Sequence, residues 1–205
     1  YIGSDDAGIF FNDHGGGDLD AIYPYDIGTS TFYNGHVNIG GSSNKFKNIY
    51  ISGSLSTDDG VTFGDAGGSG TSTSNTLDSY EEGTWTPNLG GTATYNRQIA
   101  NYTKVGRVVT VHFDIDVNAI GSGSTSQLSG LPFTSQNIGA PQVGAVAYFE
   151  DIATACVFLG VYIDNNAQTM QFTGGNSSAT LISRNAFNVF GNNARVIGTV
   201  TYMTN

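Results

Sequence analysis

The sequence predicts an all-β protein: a glycine-rich run of short intertwined β-strands, followed by an antiparallel β-sandwich of jelly-roll type. Three observations predict it. Glycine supplies 29 of the 205 residues, about twice the usual ~7%. Charged residues make up only 12%, against a usual ~25%, and Ser, Thr and Asn carry the polarity instead. No stretch sustains helical periodicity, while β-branched and aromatic residues alternate between turn signals.

Residues 1–66 form the first segment. They are a series of apolar pieces closed by Gly, Asp or Asn: YIGSDDAG, GIFFNDHGGG, AIYPYDIG, HVNIGG, NIYISG and GVTFGD. Each piece is short for a strand and offers one or two apolar side chains, so the pieces cannot enclose a core alone. Identical chains around a threefold axis would supply the missing wall. Residues 67–84 are expected to be linker and neck. GGSGTSTSNT is flexible by composition, and LDSYEEGTWTP follows it. Leu77 and Tyr80 are expected to pack the base of the next domain. Glu81 and Glu82 would stay solvated or cap backbone donors. Trp85 would anchor the first strand, with Pro87 at its edge.

Residues 85–205 form the second domain. In RVVTVHFDIDV (107–117), Val109, Val111, Phe113, Ile115 and Val117 face one way. Val108, Thr110, His112, Asp114 and Asp116 face the other. That is a half-buried strand. VGAVAYFE (143–150), CVFLGVYID (156–164), TMQFTG (169–174) and RVIGTVTYM (195–203) are further strands of a set of about eight. Residues 156–163 are apolar on both faces, so that strand is central or lies against another subunit.

The charge is uneven. The chain carries −10 overall, with twelve acids and two bases up to Thr94 and five of each afterwards. Nucleic acid and anionic membrane surfaces both select clustered Lys and Arg, so neither is an expected partner. The single cysteine, Cys156, excludes an intrachain disulfide and reads as a small buried strand residue. No signal peptide or transmembrane run is recognised. The chain opens on Tyr1 and is read as a fragment of a longer protein.

Two motifs carry a resemblance. GGSSNKFKNIYISGSLST (40–57), with GVTFGD (60–65) after it, resembles a segment of bacteriophage tail fibre proteins. LDSYEEGTWTPNL (77–89) is similar to the opening of a C-terminal domain in many of them. YNRQIANYTKVGRVVTVHFDI and LSGLPF follow in the same order. The resemblance covers most of residues 36–135. It implies a homotrimer with a slender glycine-rich shaft (1–66) and a distal head (85–205) that recognises the host surface. It also implies a virion component, assembled in the host cytoplasm and acting outside the cell.

The expected mechanism is binding, not catalysis, with no cofactor. Amides and hydroxyls beside aromatic rings suit saccharides. The expected receptor contacts are therefore Asn165, Asn166, Asn192 and Asn193, with Tyr162 and Phe190 as aromatic platforms. Two alternatives compete. One is a structural joint that only trimerises and registers the fibre. The other is a glycan-degrading spike using Asp114 and Asp116, which share a face about 7 Å apart by strand rise. No metal site is expected, unless three copies of His14 or His36 meet on the threefold axis. NDHGGGDLD (12–20) lacks EF-hand spacing.

Overall fold

The computed structural model describes the backbone of residues 2–3, 8–12, 21–26 and 31–32. It describes residues 48–58, 60–63, 76–77, 79–178 and 187–205 in full. Every regular element among them is a strand, and none is a helix. Two compact units divide the chain, Tyr1–Ser56 and Thr57–Asn205.

In the first unit, β1 (Ile2–Gly3), β2 (Gly8–Asn12), β3 (Ala21–Asp26) and β4 (Thr31–Phe32) pair in sequence order as an antiparallel meander. Residues 48–56 belong to no strand, and they leave Ile49, Tyr50, Ile51 and Leu55 exposed.

The second unit begins with β5 (Val61–Thr62) and β6 (Thr76–Leu77), paired antiparallel. A piece expected in the first segment is thus hydrogen-bonded to a piece of the expected linker. Eight strands follow: β7 (Tyr80–Thr84), β8 (Thr94–Val105), β9 (Val108–Ala119), β10 (Gln127–Ser129), β11 (Gln142–Glu150), β12 (Phe158–Ile163), β13 (Thr169–Gly175) and β14 (Arg195–Met203). They form one antiparallel sheet in the order β10-β13-β12-β11-β14-β9-β8-β7. The sheet starts at Tyr80, inside the stretch read as neck. β12 is an interior strand, as its apolar character on both faces requires.

Alternation decides which face is buried. Val109, Val111, Phe113, Ile115 and Val117 of β9 are fully buried, as are Val196, Val200 and Tyr202 of β14. Leu159, Val161 and Ile163 of β12 and Met170 and Phe172 of β13 join the same cluster. In a flat sheet β9 and β13 would lie about 19 Å apart, four strand spacings. Their rings Phe113 and Phe172 meet edge-on at 6.4 Å between centroids. The sheet therefore curls over its own inner face, in one continuous ladder rather than two separately paired sheets. Loop residues close the remaining gap. Trp85 meets Phe113 at 6.5 Å, and Phe190 meets Phe172 at 5.2 Å.

Tyr202 ties a loop to this core. Its Oη donates to the Phe133 carbonyl (3.0 Å) and accepts from the Phe133 N–H (3.3 Å). Burial pushes its phenol up to about 12, from an ordinary value of about 10. A phenol whose folded value is raised stabilises the fold below its unfolded value. That contribution is lost as pH climbs from about 10 through 12. Tyr202→Phe is expected to cost about 1 kcal/mol at pH 8. A rise from about 10 to about 12 is worth about 3 kcal/mol, so the gap to wild type should close above pH 10 and reverse in sign before pH 12. Tyr80, Tyr102 and Tyr148 are also shifted upward, each through a hydrogen bond to a glutamate (Glu82, Glu81 and Glu150). Both proteins retain them, so the difference isolates Tyr202. Urea unfolding of the pair at pH 8 and pH 11.5 checks it.

Candidate functional site

The ends of the sheet hold the expected contact residues, and topology separates them. Ile163, Gln142, Met203 and Val108 end or begin their strands at one end of the sheet. Asp116, Arg195 and Glu150 lie together toward the other. Asn165 and Asn166 follow β12 at the first end. Asn192 and Asn193 precede β14 at the second. The nine residues of β14 put roughly 27 Å between these ends. The two asparagine pairs do not form one site.

Each pair ties its turn to a neighbouring loop. Asn165 Oδ1 accepts from Ile138 N at 3.1 Å, and Asn192 Oδ1 accepts from Ile120 N at 2.9 Å. Asn166 (φ 55°) and Asn193 (φ 65°) take the left-handed backbone, a conformation that asparagine tolerates better than most residues. Their side chains are exposed. Beside Asn166, the buried Ser135 donates its hydroxyl to Asp164 O (2.6 Å) and accepts from Ala167 N (3.0 Å).

The aromatic platforms are placed differently from expectation. Phe190 is fully buried against Phe172 and presents no ring face to solvent. A phenylalanine directly before Gly191, Asn192 and Asn193 reads as a loop platform until the curled sheet is seen to need a plug there. Tyr162 is also buried, with its hydroxyl on Gln171 Oε1 at 2.8 Å.

Among the neck residues, Trp85 is buried, and its indole N–H donates to Asn101 O at 3.2 Å. It directly follows β7. Leu77 pairs with Val61 in the small two-stranded sheet. Tyr80 is 63% exposed on the edge strand instead of packing beneath the sheet. Its hydroxyl donates to Glu82, and that of Tyr102 donates to Glu81. The two glutamates stay exposed, as the solvated alternative expected, and accept tyrosine hydroxyls rather than backbone donors.

The outer face of the sheet gathers the remaining chemistry. Arg97, Asp116, Arg195 and Glu150 stand in register across β8, β9, β14 and β11, with alternating sign. Neither arginine stops at Asp116. Arg195 reaches diagonally to Asp114 with two bonds, 3.1 and 2.9 Å, and Arg97 approaches it at 3.5 Å. Asp114 is only 8% exposed. Asp116 accepts from Asn96 Nδ2 at 3.1 Å. A β-bulge between Val146 and Tyr148 turns the Tyr148 ring onto Arg195, 5.5 Å from guanidinium to centroid. The acceptor oxygens of Asp114 are thus occupied within the protein, and the geometry is that of a cross-strand clamp.

No family model matches the chain, and no curated protein matches it. Among the described residues no three His, Cys, Asp or Glu side chains cluster as metal ligands, and no helix is long and apolar enough to cross a membrane. His14 and His36 lie outside the described residues. Cys156 is partly buried, and burial raises its thiol.

Proposed function

We infer that this chain is the distal part of a bacteriophage tail fibre, attaching the particle to the host cell surface as a homotrimer. The target class is a surface glycan. In this reading residues 1–66 build an intertwined β shaft, and the curled sheet is the jelly-roll-like head. The observation that carries it is the stretch NIYISGSLS (48–56). It sits inside the fibre-like motif, belongs to no strand, and exposes four large apolar side chains, Tyr50 at 89%. Nine residues of that character need a neighbour, and identical copies around an axis provide one. The clamp on Asp114 also favours binding over glycan cleavage, because a cleaving pair must offer its carboxyls to a sugar.

Polar loops at either end of the head, Asn166 and Asn193 among them, would make the contacts. Weak sites repeated three times per fibre would gain strongly from avidity. The test is binding of labelled fragment to intact cells and purified polysaccharides of a bacterial strain panel. Saturable binding to some strains, with protection of those strains from a matching phage, is expected. A trimer that binds nothing would leave the structural joint as the function.

A further inference from the structure

We propose that the outer face of β8, β9, β14 and β11 is the surface through which copies of this chain pack against one another. The proposal rests on the homotrimer reading and adds to it the face involved. Ile99, Val105, Val108, Val143 and Tyr148 are all exposed on this one face, Val143 at 72%. Trp85 and Phe190 close the inner face, whereas these five side chains stay exposed. Four strands by nine residues project roughly 500 Å². Corrugated side chains add to that, approaching the ~800 Å² that a standard interface takes from each partner.

Several polar groups of this face are already paired within it, while Asn101, Thr103 and His112 stay exposed. Thr110 and Thr201 share a hydrogen bond at 3.0 Å, and Thr199 donates to Val111 O at 2.8 Å. Asp114 is held by Arg195 and Arg97. Covering such a face strands few donors or acceptors. A glycan, by contrast, needs polar groups left open to it, which disfavours a sugar as the occupant. Charge favours a second copy. The chain carries −10 overall, yet this face sets Arg97 and Arg195 against Asp114, Asp116 and Glu150. Two acidic chains meet here with little repulsion.

The test compares wild type, Val143→Glu and Thr201→Glu by light scattering after size exclusion, with circular dichroism as the folding control. Asn166→Glu, on an exposed turn, is the comparison. Wild type and Asn166→Glu should share a three-chain mass and shield His112 from diethylpyrocarbonate, whereas each face variant should lose that shielding even where residues 1–66 still hold three chains together. A second reading uses unaltered protein. His112 lies at the centre of this face, exposed in the single chain, and should resist diethylpyrocarbonate in the assembly. Face variants that fold and still shield His112, or His112 of the unaltered protein modified as fast as free histidine, would overturn the proposed face while leaving the trimer standing. A monomeric wild type would overturn both.

Discussion

Replacing Phe113 by alanine is expected to lower the stability of the head by about 3–5 kcal/mol, the range for deleting a buried aromatic ring. The ring is fully buried and stands where the curl of the sheet closes. Trp85 meets it from the loop after β7, and Phe172 meets it from β13. Phe190 extends the edge-on chain through Phe172. Removing the ring opens a cavity between elements that backbone hydrogen bonds hold in place, so collapse around it is limited. Urea unfolding followed by tryptophan fluorescence reads the effect directly, because the only tryptophan packs on this ring. A loss below about 1 kcal/mol would mean that β9 and β13 do not close on each other.

Gly198→Val is the second large effect, expected at about 3 kcal/mol from overpacking. Gly198 lies on β14 opposite Phe113 in register. A Cβ there would sit 2.8 Å from Phe113 Cζ and 2.9 Å from the Ala145 carbonyl oxygen. The ring tip has some freedom, whereas the carbonyl belongs to the neighbouring strand β11. Combining Gly198→Val with Phe113→Leu should therefore recover only part of the loss. A coupling of about 1 kcal/mol is expected, measured from the four denaturation curves of the cycle. Full additivity would show that glycine and ring do not share this space.

The same pair of residues shows what could be read from sequence. β9 was legible because its alternation is strict and its inner row is wholly apolar. β11, β13 and β14 were legible as apolar runs between turn signals, and β12 as a run apolar on both faces. β8 was not. Its inward positions include Gln98 and Lys104, and Ile99 and Val105 face outward, so the two-residue period is diluted. Those polar side chains point inward because loop acceptors await them. Gln98 Nε2 donates to Pro87 O, and Lys104 Nζ donates to Ser79 Oγ, both at 2.6 Å. Such partners are distant in sequence and leave no local pattern. Gly198 likewise reads as a strand weakness until Phe113 is seen to need its space.

The candidate site was less legible than the fold. Asn-Asn turns look alike whether they serve a ligand or the backbone. Asn165 and Asn192 turn out to accept backbone N–H groups at opposite ends of the sheet. Phe190 looked like a loop aromatic because the curl that buries it depends on contacts far apart in the chain. The clamp on Asp114 depends on three strands in register, and its two arginines lie 17 and 81 residues away.

The central claim is that identical copies complete one another along residues 1–66 and across the head. The mass of the unaltered chain in solution tests it most directly. One chain weighs 21.5 kDa. Light scattering at micromolar concentration should give three times that mass, independent of dilution over the range measured. A folded, monodisperse species at the mass of a single chain would contradict the claim.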